Sequence, residues 1–161
     1  MKATMFSAPH TSPLRVAIDP FVAGLLRSAR FTYETESDGC GMAYDARNVA
    51  NEFLKLAKDK GTTLTNMELQ KLVYIAHGYS LAILGRSLIK QGVEAWRYGP
   101  VISDLYHALR EYGAGIVRSP INIFPTEKLS ETDSKLVGSV LNAYGRFSGP
   151  QLSTMTHREG T

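Results

Sequence analysis

The stretch Thr65-Asn66-Met67-Glu68-Leu69-Gln70-Lys71-Leu72-Val73-Tyr74-Ile75-Ala76-His77-Gly78-Tyr79-Ser80-Leu81-Ala82-Ile83-Leu84-Gly85 is the axis of this chain. Its start carries a capping box, in which the Thr65 hydroxyl can accept from the amide of Glu68 while the Glu68 carboxylate accepts from the amide of Thr65. Gly85 offers a left-handed stop. Projected at about 100° per residue, Leu69, Leu72, Val73, Ala76, Ser80 and Ile83 fall on one flank, and Tyr74, Ile75, Leu81 and Ala82 populate the other. A helix apolar nearly all round is a buried helix. With a length of only about 19 residues, and with Glu68, Lys71 and His77 inside it, the run makes a poor membrane span. It reads as the central post of a small domain.

Upstream, Asp45 is a good N-cap for the run Ala46 to Lys60, which places Val49, Ala50, Phe53, Leu54 and Ala57 on one face and Arg47, Asn51, Lys55 and Asp59 opposite, with Gly61 closing it. Only Thr62-Thr63-Leu64 joins this helix to the central one, so the two are neighbours. Downstream, Ser87-Leu88-Ile89-Lys90 and Val93-Glu94-Ala95-Trp96-Arg97 read as two short strands turning at Gln91-Gly92. Pro100 then stands where the first turn of a helix tolerates a missing N–H, and that helix runs to Tyr112 with Val101, Leu105, Ala108, Leu109 and Tyr112 as its stripe. Beyond a loop from Ala114 to Lys128, Ser130-Glu131-Thr132-Asp133 marks another helix start, whose stripe is Leu136, Val137, Val140, Leu141 and Tyr144. Ser148-Gly149-Pro150-Gln151 opens a last short helix, Leu152 to His157. The fold class is mainly α (α+β): a compact helical domain around a central buried helix with a small β-hairpin.

With 161 residues, 43% of them hydrophobic and 20% charged, the chain suits one ordinary globular domain. The formal net charge is +3, but the 18 basic residues are scattered singly, which gives a nucleic-acid surface little support. The single cysteine, Cys40, excludes an internal disulfide and fits a reducing cytoplasm. In residues 1–41, Pro9, Pro13 and Pro20 interrupt every candidate helix, and Asp19-Pro20 lies inside the most apolar piece, so no signal peptide is read there. Helical periodicity begins just after Met42. The expected organisation is therefore an N-terminal extension over 1–41, with the natural start at Met42, and one domain over 42–161.

Several blocks together resemble a known family. The run Asp45 to Leu56, Leu64-Thr65, Leu69-Gln70-Lys71-Leu72-Val73-Tyr74, Gly85-Arg86-Ser87-Leu88, and above all Glu94-Ala95-Trp96-Arg97-Tyr98-Gly99-Pro100-Val101 with Tyr106, look like the Panacea domain of SocA-like antitoxins, which also goes under the description phage-associated protein. Leu152-Ser153 and Thr156-His157 match as well, so the likeness covers residues 44–159. The resemblance implies a cytoplasmic antitoxin of a bacterial or prophage toxin–antitoxin system, which neutralises a separately encoded protein toxin by binding it. One branch of the family looks like a proteolytic adaptor, which adds a protease as a second implied partner. Where the family continues to a Pro-Trp pair and a final helix, this chain stops at Thr161, and the expectation is a domain truncated at its C-terminus.

The candidate partner-binding residues are Trp96, Arg97, Tyr98, Gly99, Pro100, Ile102 and Tyr106. An amphipathic aromatic cluster with an arginine has the composition of a binding hot spot, although Trp96 can equally serve to pack the hairpin onto the central helix. Arg97 can stack on its aromatic neighbours and still offer its fork to a partner carboxylate. Ile102 and Tyr106 form an apolar i, i+4 pair outside the main stripe of their helix, as an uncovered surface would. Gln70 and His77 share one side of the central helix and read as a hydrogen-bonded seam in the core. His107, between Asp104 and Glu111, reads as ordinary surface pairing.

No carboxylate or second histidine stands at i+3 or i+4 from His77, so no metal site is read there. There is no G-x-S-x-G elbow, no cysteine in the body of the domain and no Walker or dinucleotide glycine pattern, so neither an enzyme class nor a cofactor is implied. The rival reading from residues alone is a winged-helix DNA-binding regulator, with the hairpin as the wing. Its recognition helix, Asn66 to Leu84, would carry Lys71 as its one full positive charge, which leaves phosphate contacts scarce.

Overall fold

The computed structural model describes residues 43–156. The expected extension over 1–41, the start at Met42 and the match at His157 lie outside these residues. Helix α1 spans Ala46–Asp59, and α2 spans Asn66–Tyr79 and continues as a π-helical turn, Ser80–Leu84. Strands β1 (Glu94–Trp96) and β2 (Gly99–Val101) form a two-stranded antiparallel sheet. Helix α3 is Ser103–Leu109, extended by the 3-10 turn Arg110–Tyr112; α4 is Glu131–Tyr144 and α5 is Gly149–Thr156.

The expected capping box is present in both halves: the Glu68 amide donates to the Thr65 hydroxyl, and the Thr65 amide donates to the Glu68 carboxylate at 2.9 Å. Helix α2 packs against each of the other four described helices and against β2, so it is the post of a mainly α, α+β domain. Leu69, Leu72, Val73 and Ala76 are buried on it, together with Val49, Ala50 and Phe53 of α1, Leu105 and Leu109 of α3, Val137 and Leu141 of α4 and Leu152 of α5. Each large side chain buried in this way stabilises the fold by about 1.5–3 kcal/mol. The last turn departs from the expected all-round burial, since Leu81 and Ala82 are exposed. There the helix widens to the π form and ends at Gly85, whose φ of 66° makes it the left-handed stop. No helix among the described residues is long and apolar enough to cross a membrane.

Two sequence expectations need correction. The hairpin lies one segment later than Gln91-Gly92: its strands are Glu94–Trp96 and Gly99–Val101, and it turns at Arg97-Tyr98. Gly99, at φ 92°, supplies the left-handed backbone that closes this turn. Leu88 and Ile89 are not available for a hairpin, because the Tyr44 amide donates to the Leu88 carbonyl and the Lys90 amide to the Tyr44 carbonyl, both at 2.8 Å. That pairing ties the entry of α1 to the segment after α2 and buries Leu88 and Ile89 in the core.

Pro100 is likewise not at a helix start. It sits in β2 opposite Ala95, and α3 begins at Ser103 after Ile102, which provides no side-chain cap. Two bonds from Gln70 hold that junction instead: the Ile102 amide donates to Gln70 Oε1 at 3.1 Å, and Gln70 Nε2 donates to the Ile102 carbonyl at 3.3 Å.

Farther along, the Asp133 amide donates to the Ser130 hydroxyl at the start of α4, as expected. Helix α5 opens earlier than Leu152, at Gly149. A Cβ on that buried glycine would come within 2.9 Å of Met67 Cγ, so α5 rests directly on the first turn of α2. Asp133 is 0% exposed and gathers donors from Tyr44, Arg86 and Ser130. One buried carboxylate thus joins the entry of α1, the exit of α2 and the start of α4.

Candidate partner-binding site

The hairpin and the first turns of α3 stand over one end of α2. Strand β1 is exposed throughout, whereas Gly99 and Val101 of β2 are buried against the helices. Three polar attachments hold β2 and its turn from behind. Lys71 Nζ donates to the Pro100 carbonyl at 2.8 Å, the Gln70 amide brackets Ile102, and the Ser153 hydroxyl on α5 donates to the Tyr98 carbonyl at 2.6 Å. Gly99 is needed here for space as well as for φ, since a Cβ would stand 3.1 Å from Lys71 Nζ and 3.3 Å from Thr156 Oγ1.

On the outward side, Trp96 meets Tyr106 of α3 edge-on, with ring centroids 5.0 Å apart. The tryptophan therefore packs the hairpin onto α3, and it keeps 38% of its surface exposed. Its indole N–H donates to Glu94 at 2.8 Å, and the Ser103 hydroxyl donates to the other oxygen of the same carboxylate. These donors, Ser103 first and then Trp96, hold Glu94 below the usual carboxylate range. At the tip, the Arg97 guanidinium lies 5.6 Å from the centroid of the Tyr98 ring, which is 62% exposed. No described carboxylate forms an ion pair with Arg97.

Of the seven residues singled out in the sequence, the structure presents Trp96, Arg97 and Tyr98 at the surface with Tyr106 half-buried behind them, while Gly99 and Pro100 are the backbone of the supporting strand. Ile102 is a correction: it is 0% exposed and belongs to the core, so the expected surface pair with Tyr106 does not exist. The shorter helix is the cause, because Ile102 precedes α3 and points with β2 toward α2.

Sequence reasoning missed Lys71. It is 2% exposed, and burial pushes its amine down to about 8. Its one legible signal was its place between Gln70 and Leu72 in an unbroken buried run, Leu69–Val73. A recognition helix for DNA would have needed this cation, and the fold uses it on the Pro100 carbonyl. The Gln70 and His77 seam is real but divided: Gln70 serves Ile102, and His77 Nδ1 accepts from the Leu88 amide at 3.3 Å. His107 makes no ion pair among the described residues and stands edge-on to Tyr106 instead.

A family model described as "Antitoxin SocA-like, Panacea domain" matches residues 69–161, more than half of the chain. That span holds α2 from Leu69 onward and both strands of the hairpin. The chain is also similar to the antitoxin SocA of Caulobacter vibrioides (strain NA1000 / CB15N), at 32% identity over 125 residues, which is 72% of this chain and 66% of that protein. It thus spans just under two thirds of the length of this curated relative. No solved structure matches.

Proposed function

Because the chain belongs to the family of SocA-like antitoxins with the Panacea domain, we propose that it is the antitoxin of a bacterial or prophage toxin–antitoxin system. It acts in the cytoplasm and neutralises a toxin encoded beside it by binding that toxin directly. The observation that carries the choice of surface is the tip of the hairpin. There Trp96, Arg97 and Tyr98 are presented to solvent on a support held by Lys71, Gln70 and Ser153. Aromatic and arginine side chains dominate binding energy at protein interfaces, and a rigid support lowers the ordering cost of binding. One branch of the family looks like a proteolytic adaptor, and delivery of the toxin to a protease is the second step we assign to the complex.

Co-expression with the adjacent gene tests this reading. The unmodified chain is expected to restore growth, and Arg97→Ala and Tyr98→Ala, each folded by circular dichroism, are expected to fail. Immunoblotting of the toxin separates delivery from blocking, since delivery lowers toxin abundance. Full rescue by both variants would contradict the surface, and failure of the unmodified chain would contradict the antitoxin function itself.

A further inference from the structure

The backbone of the hairpin has an open side. Glu94, Ala95 and Trp96 pair in unbroken register with Val101, Pro100 and Gly99, and among the described residues the sheet has only these two strands. In an antiparallel ladder, the N–H and C=O of one residue point to the same side, and successive residues alternate. Pro100 has no N–H to give, and its carbonyl is turned away from β1 to receive Lys71 Nζ at 2.8 Å. The ladder is therefore carried by the pairs Glu94 with Val101 and Trp96 with Gly99. Ala95, opposite Pro100, must direct its N–H and C=O outward, to the edge that no described strand covers.

Exposed strand edges are ordinarily blunted by shortness, charged side chains, proline or a bulge. Strand β1 is short and carries Glu94, but that carboxylate is occupied by the Trp96 indole and the Ser103 hydroxyl, and the strand has no proline, lysine or bulge; its three residues are in regular register and exposed along their length. From behind, the attachments of Lys71, Gln70 and Ser153 fix the sheet in place, so an added strand meets a template already formed. Beside this edge, Arg97 carries a positive charge without a described carboxylate partner, its guanidinium lying 5.6 Å from the centroid of the Tyr98 ring.

Resting on the antitoxin reading, we infer that the toxin docks by adding an extended segment to the outer edge of β1, pairing with the Ala95 N–H and C=O and placing a carboxylate on Arg97. Main-chain bonds supply binding in such strand addition, and flanking side chains supply selectivity. Edge pairing asks only for an extended backbone, and the selective element is the single acidic residue near the hairpin tip.

The test uses the purified full chain and the purified product of the adjacent gene. Ala95→Pro removes the outward N–H, leaves the ladder bonds of Glu94 and Trp96 in place, and suits an edge strand. It is expected to weaken binding at least tenfold with an unchanged circular dichroism spectrum, and Arg97→Glu is expected to do the same with a reduced dependence on salt. Hydrogen exchange on the unmodified complex gives a readout that needs no variant: the Ala95 amide, fast in the free chain, is expected to slow at least tenfold when bound. An Ala95 amide that exchanges equally fast in the complex overturns the inference while leaving the antitoxin reading standing. An unmodified chain that does not bind the toxin at all overturns both. A chain that sediments alone as a dimer, which Ala95→Pro dissociates, assigns the edge to a second copy and overturns the inference as well.

Discussion

Lys71 Nζ rests 2.8 Å from the carbonyl of Pro100, and no described carboxylate forms an ion pair with it. A lysine 2% exposed under these conditions gives up its proton more readily than in water, and burial pushes its value from 10.5 to about 8. The folded state therefore binds fewer protons than the unfolded state between these two values, and stability must rise with pH across that window. The expected gain is about 2–3 kcal/mol between pH ~8 and ~10.5. Urea unfolding across that range checks it against Lys71→Met, in which this gain is expected to vanish. A variant that keeps the same pH slope would mean that the amine is hydrated in the fold.

Leu72 is fully buried on the central helix, among side chains of the common core. Leu72→Ala is expected to cost about 2–5 kcal/mol, a large part of a small domain's margin. Thermal unfolding reads this directly, and an unchanged melting temperature would show that α2 is not the post of the fold.

Asp133 tests the polar half of the same architecture. It accepts from Arg86 at 2.7 Å, from Tyr44 at 2.9 Å and from the Ser130 hydroxyl at 2.7 Å, with no exposed surface of its own. Asp133→Ala orphans these donors together and is expected to cost about 3 kcal/mol or more. Chemical denaturation measures it, and a loss near zero would mean that water replaces the carboxylate.

His77 predicts an acid response. Burial lowers its affinity for a proton below the ordinary value of 6.5, and its Nδ1 already accepts from the Leu88 amide. The unfolded chain takes up a proton first, so the stability owed to neutral His77 is present above pH ~6.5 and is lost as the pH falls below it. Melting temperatures from pH ~7.5 to ~5 are expected to fall more steeply for the native chain than for His77→Gln.

The helical framework was legible because its signals are local. Thr65 and Glu68 cap within four residues, Ser130 marks the start of α4, and the stripe Val49, Ala50, Phe53 repeats at helical spacing. The hairpin was not, because Ile89 and Trp96 both carry strand propensity and only the distant Tyr44 decides which segment is taken out of the competition. Pro100 fits a helix start and an edge strand equally well by local rules, and its true place depends on Lys71, which lies 29 positions earlier in the chain. Ile102 followed Pro100 into the same error. Arg97 and Tyr98 were readable as a surface from their composition, but the support beneath them is tertiary. Periodicity assigns a lysine to solvent, and nothing local says that its acceptor is a carbonyl folded over it.

Whether the hairpin tip holds the toxin, as proposed, is read by calorimetric titration of the purified chain with the product of the adjacent gene. The expected result is a defined complex that Arg97→Ala weakens by about 2 kcal/mol, roughly thirtyfold, without loss of helical signal. A complex of equal affinity in that folded variant, or no complex with the unmodified chain, would contradict it.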